Sequence, residues 1–121
     1  MRAEEHWNKA SRLEASRKKG LNDQDDYEMI IWSCIHGGAQ LANVFLHRRG
    51  ITPDSHDQIH TDVPEVKQEL PRDVTDFLAV LKSIEDLGPR FVRGFEPIDP
   101  RVVTGCLESY EKLKAIAKQT L

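Results

Sequence analysis

The chain of 121 residues has the length of one domain, and a chain of that size buries enough surface to fold without a disulfide or a metal. Its 17 basic and 20 acidic residues leave a formal net charge of −3. That excludes a protein that coats nucleic acid through overall charge, but leaves room for a local basic groove. The opening "MRAEEHWNKASRLEASRKKG" lacks the apolar core of a signal peptide, and no apolar run approaches the roughly 18 residues of a membrane span. Cys34 and Cys106 fall inside apolar helical patterns, far from any C-x-x-C spacing, and are expected to be small buried thiols in a reducing compartment. The expectation is a single cytoplasmic domain over residues 1–121, without membrane contact.

Four segments carry a helical period and none alternates as a strand does. The first runs to about Lys19, with Ala3, Trp7, Ala10 and Leu13 three or four apart, and stops on basic residues and Gly20. His6 and Trp7 are expected there as packing and surface residues. The second, "NDQDDYEMIIWSCIHGGAQLANVFLHRRG", opens with Asn22 as N-cap and Asp23, Asp25 and Asp26 in its first turn. It closes with His47, Arg48 and Arg49 before Gly50. Acid at the start and base at the end suit the helix dipole, and about 27 residues predict a rod of roughly 40 Å.

A loop of roughly Ile51 to Leu70 follows, holding Pro53 and Pro64; loops of that length are functional or mobile more often than not. The third helix starts near Pro71, gathers Val74, Phe77, Leu78, Leu81 and Ile84 on one face, and stops at Gly88-Pro89. The connector "RFVRGFEPI" leads to the last helix, with Asp99 as N-cap, Pro100 at its first position, and Val102, Cys106, Tyr110, Leu113 and Ala117 as its buried stripe. The whole predicts an all-α, up-down four-helix bundle.

The second helix carries two unusual lines. Gly37 and Gly38 are adjacent in its interior, where each costs about 1 kcal/mol relative to alanine. With Ala42 they form a small-residue seam, which predicts close approach of another helix, either within the fold or across a dimer. Beside the seam runs a polar stripe, His36, Gln40, Asn43 and His47, at spacings of four, three and four. A solvated face and a binding face are both open to it.

The end of this helix, "HRRGITPDSH", together with "YEMIIWSCIHGGAQLANVFLHRRGI" and "RFVRGFEPIDPRVVTGCLESYEKL", resembles the HEPN domains. These are four-helix proteins marked by an arginine at the end of a long helix, four to six residues, then histidine. Here Arg49 and His56 are separated by the six residues of "GITPDS"; the chain departs from many members in having Gly50 directly after the arginine. The resemblance implies a homodimer that brings two Arg/His pairs into one cleft, with Gly37, Gly38 and Ala42 at its interface. It also implies either a metal-independent endoribonuclease of toxin type, or a non-catalytic nucleotide- or partner-binding module that associates with a separate small nucleotidyltransferase as antitoxin.

The chemistry of the pair fits the first activity. Histidine titrates nearest neutrality and suits transfer of the 2′-hydroxyl proton, which assigns that role to His56. Arginine offers a planar fork matched to phosphate oxygens, which assigns charge stabilisation to Arg49. Arg48, His47, Asn43, Arg90 and Arg93 are the further candidates for nucleic-acid or nucleotide contact. No cofactor and no metal is expected: His56 and His60 are four apart, but turn residues flank them and no H-E-x-x-H pattern is present.

Overall fold

The computed structural model describes residues 1–20, 26–58 and 69–121. It comprises α1 (Ala3–Gly20), α2 (Tyr27–Arg48), α3 (Arg72–Glu85) and α4 (Pro100–Lys118), with a π turn at Gly88–Val92 between the last two. Every regular element among the described residues is helical, as the periodicity predicts. The expected roles of Asn22, Asp23 and Asp25, and positions His60 and Pro64, lie outside the described residues. Asp26 stands at the N-cap of α2 and not within its first turn, so the observed helix has 22 residues and a length of about 33 Å.

α2 is the centre of the fold and packs against α1, α3, α4 and the π turn. Ile30, Ile31, Cys34, Leu41, Val44 and Leu46 are almost wholly buried. Its mean hydropathy and length would by themselves fit a membrane span, but 67% of that stretch is covered by the rest of the protein. Contacts fix the directions. His6 meets Gln40 while Arg17 meets Ser33, so α1 and α2 are antiparallel. Phe45 stacks on Phe77 while Arg49 pairs with Asp73, so α3 is antiparallel to α2 as well. Gly37 faces Tyr110 and Arg48 reaches Thr120, so α4 runs parallel to α2.

α3 buries Val74, Phe77, Leu81 and Ile84, with Leu78 partly covered. α4 buries Val103, Cys106, Tyr110, Leu113 and Ala117; the expected Val102 is only partly covered, and Val103 takes its place. Asp99 caps α4 by accepting from the backbone N–H of Arg101 at 2.8 Å, with Pro100 just inside. α1 departs furthest from expectation. Trp7 and Leu13 are only partly buried, and the inward line is Ala3, His6, Ala10, Glu14 and Arg17. Three of those five are ionisable, which an apolar period cannot reveal.

The small-residue seam is resolved inside the protomer. Gly37 lies against Tyr110, and a Cβ at Gly38 would stand 2.9 Å from Leu81 Cδ1. Gly37, Gly38 and Ala42 are all buried in the single chain. Their expected place at a dimer interface is therefore corrected: the close approach that offsets the glycine cost is made by α3 and α4. Cys34 and Cys106 are free and buried, on α2 and α4.

The end of α2 follows its sequence closely. Gly50 adopts φ +69°, the left-handed region that favours glycine. Its N–H bonds the carbonyl of His47 at 3.1 Å, and the Ile51 N–H bonds that of Leu46 at 2.9 Å. This pair of bonds is a Schellman cap. It turns the chain back along α2, so residues 51–58 run beside the helix they have just left.

Candidate functional site

Three of the four residues of the polar stripe turn inward. His47 and Asn43 are buried and Gln40 is half-buried, all facing α1 and the 51–58 segment; His36 alone is exposed. The solvated-face expectation therefore holds only for His36.

Asn43 ties the returning segment down. Its Nδ2 donates to the Gln58 carbonyl at 2.9 Å and to the Ala39 carbonyl at 3.0 Å, while its Oδ1 accepts from the Gln58 N–H at 2.7 Å. One side-chain amide thus satisfies both backbone groups of residue 58, as a neighbouring strand would. The neighbouring Asp57 is thereby held against α1 and α2.

Around Asp57 lies a polar centre drawn from three parts of the chain. His6 Nε2 is 2.9 Å from Asp57 Oδ1, and His47 Nε2 is 3.0 Å from the same atom. The Met1 amino group reaches that oxygen at 3.1 Å. The far ring nitrogens are also engaged: His6 Nδ1 lies 2.6 Å from Gln40 Oε1, and His47 Nδ1 lies 2.8 Å from Thr52 Oγ1 and 3.2 Å from the Thr52 carbonyl. The two rings are 5.2 Å apart. The side chains of His6 and His47 are 2% and 1% exposed, that of Asp57 36%. Burial alone would raise the Asp57 carboxyl, but hydrogen bonds from His6, His47 and the Met1 amine outweigh it and hold the group far below the usual carboxylate range.

This centre forms one wall of a cavity of about 320 Å³ that also touches Lys9, His36, Gln40 and Asn43. Two further cavities adjoin it. One, of about 320 Å³, is lined by Lys9, Arg12, Trp32 and His36; the other, of about 470 Å³, by Trp32, His36, Lys82, Asp86 and Arg93. His36 borders all three, and Trp32 two of them. The Trp32 and His36 rings are one turn apart on α2, 4.3 Å between centroids and tilted by 45°. Trp32 is 38% exposed, so a large aromatic face is presented to solvent between cationic side chains.

The chain matches no protein-family model, no curated protein and no solved structure. The likeness to HEPN domains accordingly rests on the residues that carry it.

The other expected site residues are distributed as follows. Arg49 is exposed and forms a two-pronged ion pair with Asp73 at the start of α3, its guanidinium 5.3 Å from the Phe45 ring centroid. His56 is exposed in the 51–58 segment, where its N–H bonds the Pro53 carbonyl. Arg49 therefore leans towards α3, whereas the segment bearing His56 is anchored on the α1 side of α2. Arg48 donates to the Thr120 carbonyl at 2.8 Å and lies 3.7 Å from Glu4. Arg90 is taken up by Glu96, at 2.9 and 2.8 Å, and by the Phe91 ring. Arg93 does line a cavity, and Asn43 and His47 belong to the buried centre. His6, expected as a packing or surface residue, is instead a member of that centre. Asp57 entered the sequence reading only as the residue between His56 and His60 in the metal spacing set aside there, and not as a partner of His6 and His47. Its signal was available only in combination: an acid set among turn residues, following a helix with a polar stripe.

Proposed function

We propose that the protein is a HEPN-like helical module that binds a nucleotide, free or as a unit of single-stranded RNA, along the polar face of α2. The observation that carries this is the exposed, tilted Trp32–His36 ring pair at the junction of three cavities, with Lys9, Arg12 and Arg93 on their walls. An aromatic platform stacks any base, and cations on either side meet the phosphates. This corresponds to the nucleotide-binding branch of the HEPN expectation, in which a separate small nucleotidyltransferase is the partner. The free buried cysteines suit a reducing compartment, and cytoplasmic residence is part of the proposal.

Titration with ATP, and separately with a short single-stranded oligoribonucleotide, tests the reading through tryptophan emission and calorimetry. Binding should quench emission, and Trp32→Leu should abolish the quench while leaving Trp7 emission in place. Arg93→Ala should weaken binding with a shallower salt dependence. Calorimetry without heat of binding for either probe up to millimolar concentration would overturn it.

The endoribonuclease reading keeps one favourable observation: Arg49 and His56 are both exposed and both flank the capped end of α2, where a second copy of the chain can add its own pair. It requires a homodimer at that end, since the glycine seam is occupied internally. Cleavage of single-stranded RNA in EDTA, lost in His56→Ala, supports it; intact RNA with wild-type dimer removes it.

A further inference from the structure

We propose that His6, His47 and Asp57 form a binding site for a divalent first-row transition-metal ion, with Zn²⁺ the best chemical fit. The inference is independent of nucleotide binding. It starts from the direction of the hydrogen bonds. Gln40 Oε1 and the Thr52 carbonyl can each accept from the ring nitrogen facing them, so a proton can stay on Nδ1 of His6 and of His47 when a metal displaces the one that Nε2 donates to Asp57. In that tautomer each imidazole presents its lone pair at Nε2. Both Nε2 atoms converge on a single carboxylate oxygen, itself an acceptor. In the centre as it stands, protons on Nε2 and the Met1 amino group meet that oxygen, and a metal cation would take the place of those protons.

The surroundings have the form of a metal site. A metal-ligating histidine characteristically donates its other N–H to a carbonyl or carboxylate, which fixes tautomer and ring orientation. Gln40 and Thr52 stand in that role, one for each ring. The three ligand atoms lie within 4.8 Å of one another. A tetrahedral ion with bonds of about 2.0–2.1 Å separates its ligands by about 3.4 Å, so seating it requires each histidine–carboxylate gap to widen slightly and the two Nε2 atoms to draw together. Asp57 supplies part of that freedom from the loop, and small rotations of the two rings on α1 and α2 supply the rest. Two imidazoles and one carboxylate favour zinc, cobalt, nickel or iron over magnesium or calcium, which prefer all-oxygen shells. Asp57 is the half-exposed member and borders the cavity, so the remaining coordination positions open towards Lys9 and His36, where water or an anionic ligand can occupy them.

The competing occupant of the centre is a pair of protons on the two Nε2 atoms, and the experiment separates the two. Untagged protein stripped with EDTA is titrated with ZnCl2 by calorimetry and with CoCl2 by visible absorption, with MgCl2 as control. The expected result is one Zn²⁺ per chain, tetrahedral or five-coordinate Co²⁺ bands, a raised melting temperature and no heat from Mg²⁺. Asp57→Asn should weaken Zn²⁺ about tenfold or more, Gln40→Leu should weaken it through loss of ring positioning by about tenfold, and His56→Ala should leave it unchanged. Long-range proton–nitrogen spectra of the unmutated chain need no variant to fold: Nε2 of His6 and of His47 should shift on adding Zn²⁺ while both Nδ1 keep their protons. Absence of stoichiometric Zn²⁺ binding at 0.1 mM (about the weakest affinity useful to such a site, some 5.5 kcal/mol), or shifts confined to His36 and His56, would overturn the proposal.

Discussion

A methyl group added at Gly37 would stand 2.8 Å from Cε2 of Tyr110 and 3.1 Å from its hydroxyl oxygen. Tyr110 is 1% exposed, and a close-packed interior resists displacement of so large a ring. Gly37→Ala should therefore destabilise the protein by about 1–3 kcal/mol, although alanine is the better helix former. Gly105, exposed in α4, has nothing within 4 Å of an added Cβ. There the same substitution should stabilise by about 0.5–1 kcal/mol. Urea unfolding of the two variants checks the opposite signs; destabilisation of both alike would mean that the Tyr110 contact is not the cause.

Glu14 draws α1 to α4. Its Oε1 accepts from Lys18 Nζ at 2.7 Å and from Lys114 Nζ at 2.8 Å. Burial raises the Glu14 carboxyl, but the hydrogen bonds from Lys114 and then Lys18 prevail and leave it below the ordinary glutamate value. A lowered folded-state value means stabilisation that is complete above the unfolded value of about 4.3 and is lost as pH falls through the folded one. Glu14→Gln should thus cost stability at pH 7, and the difference from wild type should shrink as pH drops below about 4. Thermal melts of both proteins between pH 3 and 7, chosen to bracket that range, measure it; a constant difference would refute the linkage.

Asn43 holds residue 58 by both of its backbone groups. Asn43→Ala removes both bonds from Asn43 to residue 58 and should cost about 1–3 kcal/mol. The effect should be local before it is global: hydrogen exchange at the Gln58 amide should speed up more than at Leu41 or Val44 in the α2 core. Equal acceleration at all three amides would show that Asn43 supports the fold and not the segment.

Gly50 closes α2 in the left-handed region. Nothing lies within 4 Å of an added Cβ, so the penalty of Gly50→Ala is one of backbone conformation alone, about 1–2 kcal/mol. A variant as stable as wild type by denaturant unfolding would indicate that the chain relaxes to another cap.

The fold was legible wherever apolar spacing and burial share one cause. α3 and α4 each bury a simple stripe against α2, and the departures are small: Leu78 is only partly covered, and Val103 takes the place of Val102. The all-α class and the glycine close approach were legible for the same reason. α1 was not, because its inward face is held by His6, Glu14 and Arg17, whose burial depends on partners far along the chain. The polar stripe of α2 was visible as a line, but its direction was not. Polar residues point to water unless other groups satisfy them, and here those groups are His6, 34 positions from Gln40, and Asp57, 51 positions from His6. The pattern that resembles a known motif drew attention to Arg49 and His56, while the acid at the polar centre stood one residue further on.

The π turn between α3 and α4 has a consequence for how sequence change reaches the cavities. Its closing bond, from the Arg93 N–H to the Gly88 carbonyl at 2.9 Å, spans one residue more than an α-helical bond, and such insertions gather at functional positions. Loss of a single residue from Gly88–Val92 would return the turn to α-helical register and swing the following side chains by about 100°. Arg93 would leave its cavity wall, while the core stripes of α3 and α4 would keep their own spacing. Length variation at this one turn is thus a means of reshaping that cavity wall without redesigning the helices that hold the protein together.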